Sequence, residues 1–136
     1  MILYAHASGV AKGYIHEMDS ELAIAWLETA ERVATCRIAF VEIYRAIALS
    51  NPTDRTRGLL DFEAHWQAFS IVEVDEFLTQ RAATLAVQFG LRTLDGLHLA
   101  AAERVNDQDM RLMSWDRRLW DAARNHGLSV LPETRP

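Results

Sequence analysis

Met110-Arg111-Leu112-Met113-Ser114-Trp115-Asp116-Arg117-Arg118-Leu119-Trp120-Asp121-Ala122-Ala123-Arg124-Asn125-His126-Gly127-Leu128-Ser129-Val130-Leu131 reads as a strand, a helix and a second strand. The first strand covers Met110 to Trp115, and Asp116 can cap the helix with its side-chain oxygen. Gly127 stops that helix after His126, leaving Ser129-Val130-Leu131 as the next strand. Strands separated by helices argue for an α/β sandwich around a mainly parallel sheet, joined by right-handed crossovers.

Outward from this unit the pattern continues. Asn106-Asp107-Gln108-Asp109 is a polar loop, preceded by a helix from about Thr93 to Val105. Before it, Asp75 can cap a helix with Leu78, Ala82, Leu85 and Phe89 on one stripe and Gly90 as its stop. Ile71-Val72-Glu73-Val74 alternates in the manner of a strand. Thr53 or Asp54 opens a helix through Trp66, while Asn51-Pro52 breaks the helix before it, Arg37 to Ser50. That helix is apolar almost all round, which predicts burial. Nearer the start, Ile2-Leu3-Tyr4-Ala5 and Val33-Ala34-Thr35-Cys36 read as strands. Between them lie a helix over about Ser8–His16, weakened by Gly9 and Gly13, and one capped by Asp19 or Ser20 carrying Leu22, Trp26 and Ala30. There is no repeat or linker, so residues 1–131 are read as one domain and 132–136 as a short frayed C-terminal tail.

At 136 residues, half of them apolar, the chain can bury a core without staples. Cys36 is the single cysteine, so no internal disulfide is possible. No basic leader and no run of ~18 apolar residues is visible, so the expectation is a cytoplasmic protein with no membrane span. The net charge of −5 lacks the basic surplus of a typical nucleic-acid binder. Thirteen of the fourteen basic residues are Arg, with Lys12 the exception; arginine forks suit phosphate, although biased codon usage explains the count more simply.

His16-Glu17 begins like a zinc-protease helix, but Ser20 stands where its second histidine would be. GxGxxG, GxxxxGK[ST] and GxSxG are absent, so nothing indicates a nucleotide cofactor, and a small α/β hydrolase would lack its nucleophile–base motif. Acids in awkward places are more informative. Glu42 lies in the apolar helix, where a carboxylate must be paired, for instance with Arg45, or metal-bound. Asp95 suits the first turn of a helix and Asp116 suits an N-cap, so each also has an ordinary structural explanation. Asp116 and His6, however, both fall at the carboxyl ends of strands, where α/β sheets form their reactive crevices. His98, one turn after Asp95, reads as a hydrogen-bonded helix residue.

Four blocks in order, Met1-Ile2-Leu3-Tyr4-Ala5-His6-Ala7-Ser8-Gly9-Val10-Ala11-Lys12, Ile38-Ala39-Phe40-Val41-Glu42, Leu91-Arg92-Thr93-Leu94-Asp95-Gly96-Leu97-His98-Leu99-Ala100 and Ser114-Trp115-Asp116-Arg117-Arg118-Leu119, resemble PIN-domain proteins of the VapC toxin family. The resemblance spans almost the whole chain and implies a PIN-like three-layer sandwich, with a five-stranded mainly parallel sheet flanked by helices. It also implies an endoribonuclease toxin that cleaves RNA phosphodiesters with a metal-activated water. Glu42, Asp95 and Asp116 match three of the family's acids, with Ser8 and Ser114 as supporting hydroxyls. Mg2+ or Mn2+ is the implied cofactor, and an antitoxin protein, an RNA substrate and a homodimer partner are the implied partners. The chemistry agrees, because crowded carboxylates favour a hard cation that can activate water and stabilise a phosphate.

One position departs from the family: His6 stands where its first aspartate would be. Imidazole suits zinc, manganese or nickel better than magnesium. His6 is therefore either a tuned catalytic and metal residue, a mark of a catalytically silent protein that only binds an antitoxin-like partner, or an inactivating change in a toxic gene. Ala5, Gly9 and Gly13 are smaller than the apolar residues expected there, which suits a degenerate protein. The family reading expects Glu42, Asp95 and Asp116 to converge within ~4–8 Å, with His6 pointing into the same crevice. It also expects an apolar groove nearby. Trp26, Trp66, Trp115 and Trp120 are candidates to line it or a dimer contact, although most aromatics at such spacings are core.

Overall fold

A computed structural model describes residues 1–136. Its elements are β1 (Ile2–Ala5), α1 (Ala7–Ala11), α2 (Ser20–Thr29), β2 (Arg32–Cys36), α3 (Ala39–Ala48), α4 (Pro52–Trp66), β3 (Ser70–Val72), α5 (Glu76–Phe89), α6 (Thr93–Val105), β4 (Met110–Met113), α7 (Arg117–Asn125) and β5 (Ser129–Leu131). All strands are parallel, in the order β3-β2-β1-β4-β5. No helix is long and apolar enough to cross a membrane.

Strand alternation sends successive side chains to opposite faces, and the two resulting cores make the fold three-layered. Tyr4, Ala34 and Leu112 pack with α5, α6 and α7 on one face. Leu3, Ala5 and Met113 pack with α1, α3 and α4 on the other. Because α1 follows β1 and α7 follows β4 on opposite faces, the carboxyl ends of these neighbouring strands open a crevice between diverging chains. His6 and Ser114–Asp116 stand at its rim.

Several boundaries differ from the sequence reading. α1 ends at Ala11, and residues 12–15 turn through Gly13 N–H to the Val10 carbonyl and Tyr14 N–H to the Ala11 carbonyl. Asn51 caps α4, accepting from Thr53 N–H at 3.0 Å, so Pro52 falls in the first turn, where its missing N–H costs nothing. β3 stops at Val72 because its partner β2 ends at Cys36, and β4 stops at Met113 because β5 ends at Leu131. α3 is not buried all round: Val41 is 67% exposed, and Leu49, its C-cap, is 68% exposed. The expected frayed tail instead lies along α7. There the Pro132 carbonyl accepts from Trp120 Nε1 at 2.9 Å, and Arg135 forks onto Asp121.

Candidate active site

His6 ends β1 and caps α1. Its Nδ1 lies 2.8 Å from Ser8 Oγ and 3.2 Å from Ser114 Oγ, with Ser8 N–H at 3.4 Å. Ser8 Oγ accepts from Trp115 N–H at 2.9 Å and Ser114 Oγ from Asp116 N–H at 3.0 Å, leaving both hydroxyl protons free to point at Nδ1. The two serines thus tie the β1–α1 turn to the β4–α7 turn. Burial, and then the neighbouring His98 and Arg92, push the His6 imidazole well below its ordinary pKa, so the ring is neutral.

Glu42 is not paired with Arg45. Its Oε1 accepts from His98 Nε2 at 2.6 Å, across a gap of 56 residues in sequence. His98 is wholly buried on α6, and its Nδ1 accepts from the Tyr4 hydroxyl at 2.8 Å. Burial pushes the Tyr4 phenol well above its ordinary pKa, which keeps the donor protonated. The His6 and His98 rings meet edge to face with centroids 4.5 Å apart.

Asp95 and Asp116 are joined by a residue that sequence reasoning passed over. Arg92 donates from Nε to Asp95 Oδ2 at 3.0 Å and from an Nη to Asp116 Oδ2 at 2.9 Å. Asp116 also caps α7, its Oδ1 accepting from Leu119 N–H at 3.0 Å, the structural role its sequence position offered. Asp95 is 4% exposed; burial raises its pKa, Asp116 adds to the rise, and Arg92 opposes it. The signal for Arg92 was available: an arginine three residues before an acid at a helix start can reach back to it.

His6, Glu42 and His98 each offer a ligand atom, and the three atoms lie within 4.8 Å of one another. The chain thus forms two groups, His6 with Glu42 and His98, and Asp95 with Asp116 across Arg92. Such groups can hold a cation and meet a phosphate. Of the four tryptophans, Trp66 and Trp120 belong to the buried interior, while Trp26 and Trp115 pack together at 5.9 Å. Trp115 donates to Asp19 and lies under the Lys12 ammonium, beside the crevice. A cavity of about 580 Å3 between α2, α4 and the start of β2 is lined instead by Tyr14, Ile24, Leu27, Val33 and Phe69 among others, with no tryptophan. At position 9 a Cβ would come within 2.7 Å of Met113 Cε, the flexible end of a buried side chain.

Residues 14–125 match the family model described as the PIN domain. The chain is 33% identical over 137 residues to Ribonuclease VapC45 of Mycobacterium tuberculosis (strain CDC 1551 / Oshkosh), covering 96% of this chain and 95% of that relative. In fold it is similar to the crystal structure of FitAcB from Neisseria gonorrhoeae, with a TM-score of 0.72, 21% identity and 98% of both chains covered. It is also similar to VapBC2 from Rickettsia felis bound to a DNA fragment from its promoter, with a TM-score of 0.64, 15% identity, and 96% of this chain and 97% of that one covered.

Proposed function

The chain belongs to the PIN-domain family, among its VapC ribonucleases, and on that premise we propose that it is a divalent-metal-dependent endoribonuclease toxin held in check by an antitoxin protein. The observation that carries the proposal is the convergence of His6, Glu42 and His98, whose ligand atoms lie within 4.8 Å of one another, supported by Asp95 and Asp116 bridged by Arg92. Its donor set fits a divalent cation, Mg2+ or Mn2+ by the family resemblance, held by Asp95, Asp116 and Glu42 with His6 contributing nitrogen. Bound there, the ion supplies charge neutralisation and an acidified water.

The remaining work falls to the chain. Arg92 holds the carboxylates of Asp95 and Asp116 together, and its exposed fork is the group best suited to meet an RNA phosphate. Ser8 and Ser114 fix the His6 ring, and Tyr4 and Glu42 fix the His98 ring. The antitoxin reading draws on VapBC2, and on apolar side chains left in solvent at Val41, Leu49 and Leu60.

A second reading, a silent protein that only binds its partner, is favoured by one observation: a neutral imidazole stands at position 6, where the family resemblance expects an aspartate. Restoring the acid separates the two. His6→Asp adds a hard oxygen ligand, so Mg2+-dependent cleavage of RNA should rise at least ~10-fold, about 1.4 kcal/mol of barrier. Asp95→Asn in the same background should abolish the gain. If His6 is instead a tuned manganese ligand, the unmodified chain cuts RNA with Mn2+ and His6→Asp lowers that activity. Inactivity of both proteins with either metal leaves the silent reading.

A further inference from the structure

Nε2 of His6 is the one buried side-chain nitrogen or oxygen with no hydrogen-bond partner, on a residue only 5% exposed. Folded chains seldom leave such an atom orphaned, because burying it unpaired costs more than an ordinary hydrogen bond returns. Against the His6 ring stands the His98 ring, and beside that the Glu42 carboxylate. The three side chains come from the end of β1, from α3 and from α6, so only the folded chain assembles them.

We propose that His6, Glu42 and His98 form a site for one transition-metal ion of the manganese-to-zinc series, bound through Nε2 of each imidazole and a carboxylate oxygen, in preference to magnesium. The inference deepens the reading above and rests on that crevice being the functional site. It adds His98 as a ligand and names the class of ion. Two imidazoles and one carboxylate match the preferences of these borderline metals, whereas magnesium favours oxygen and retained water.

The surroundings are those of metal-ligating histidines, which typically anchor the ring nitrogen that faces away from the ion. On His6 that nitrogen is held by Ser8 and Ser114, and on His98 by the Tyr4 hydroxyl. Binding requires each Nε2 proton to be relocated to Nδ1. The Nδ1–H would then donate to a lone pair of Ser8 Oγ or Tyr4 Oη as each hydroxyl proton rotates away, and no electron is transferred. The geometry needs little adjustment. Tetrahedral ligands at ordinary metal–nitrogen lengths stand about 3.4 Å apart. The His98–Glu42 pair, at 2.6 Å, must open by under ~1 Å, and the widest separation, at most 4.8 Å, must close by about 1.4 Å. Glu42 sits in the first turn of α3 with its side chain 23% exposed, so it has room to turn.

The test uses the full chain stripped with EDTA and titrated with Co2+ by visible absorption, with Zn2+ and Mg2+ compared by calorimetry. One equivalent of Co2+ should bind with ligand-field bands of low coordination number, and Zn2+ at least ~100-fold more tightly than Mg2+. Glu42→Gln and His6→Asn should each weaken Co2+ at least ~10-fold, and so should Tyr4→Phe, which removes only the hydroxyl behind His98. Asp116→Asn separates this ligand set from the Asp95, Asp116 and Glu42 set proposed above: Co2+ affinity should stay within ~3-fold if His98, and not Asp116, is the ligand. Circular dichroism checks each fold. Should His6→Asn not fold, Glu42→Gln, half-buried and of equal volume, decides. Zn2+ binding no tighter than Mg2+, or Co2+ binding lost in Asp116→Asn but kept in Glu42→Gln, would overturn the inference. RNA cleavage measured in parallel keeps the two readings apart. Mg2+-dependent cleavage without Co2+ binding overturns the metal site alone, whereas histidine-dependent Co2+ binding without cleavage under any metal supports it and overturns the nuclease.

Discussion

Asp95 has a carboxyl that burial holds above the ordinary aspartate pKa even though the Arg92 Nε is 3.0 Å away. At low pH folded and unfolded chains are both protonated at this residue, and it contributes nothing. As pH rises, the unfolded chain ionises first, so stability is lost between the unfolded and the higher folded pKa, and the loss persists above. In EDTA, Asp95→Asn should therefore melt at a higher temperature than the unmodified chain at pH 7, with the difference closing below about pH 3. A lower melting temperature at pH 7 would mean that Arg92 outweighs burial. His6 has the opposite dependence. Its folded pKa is depressed, so stability present above the unfolded value of about 6.5 is lost as pH falls toward the folded value. At this scale the sequence exposed the acids but not their partners. Glu42 was open to pairing with Arg45, three residues away, and its partner is His98.

The elements that carry these side chains are held at distances set by glycine. On α6, a Cβ at Gly96 would stand 2.9 Å from the Ala82 carbonyl oxygen and 3.1 Å from Ala86 Cβ on α5. A backbone carbonyl cannot swing aside, so the helices would have to separate, carrying Asp95 and His98 with them. Gly96→Ala should cost about 1–3 kcal/mol in urea unfolding despite its better helix propensity. Gly9→Ala makes an apparently closer contact, 2.7 Å, but with the mobile end of Met113. That change should stay within about 1 kcal/mol, because a methionine tip can move and alanine suits a helix better than glycine. Equal effects in the two variants would show that the α5–α6 spacing is not fixed by Gly96. Element identity was legible from caps and periodicity. Element ends were not, because a parallel strand stops where its neighbour stops, as β4 does at Met113 opposite Leu131.

For the molecule as a whole, a three-layer sandwich can bury only the inner side of each helix. Val41 on α3, Leu49 just past its end and Leu60 on α4 are 64–68% exposed, more apolar surface than solvent-facing helices need. If the homodimer that the family resemblance implies, rather than the antitoxin, covers Val41 and Leu49, sedimentation should give a dimer at micromolar concentration, and Val41→Glu with Leu49→Glu should give a monomer of nearly unchanged melting temperature, since exposed substitutions usually cost under about 0.5 kcal/mol. A dimer that survives both changes places the contact elsewhere. The sequence reading expected α3 to be buried because it counted apolar residues around the helix, and no count made along one chain can tell a core face from a docking face.

The sequence by itself determined the alternation of strands and helices, the parallel sheet, the caps at Asp75 and Asp116 and the identity of the acids, because each depends on residues within a turn or a strand of one another. Folding decided which of those residues meet. Crossovers place α1 and α7 on opposite faces, bring Glu42 to His98, close Arg92 onto two aspartates, and leave His6 Nε2 buried without a partner. Capping and periodicity are short-range and can be read along the chain. Pairing between side chains dozens of residues apart depends on how the helices pack across the sheet, and exists only once they have done so.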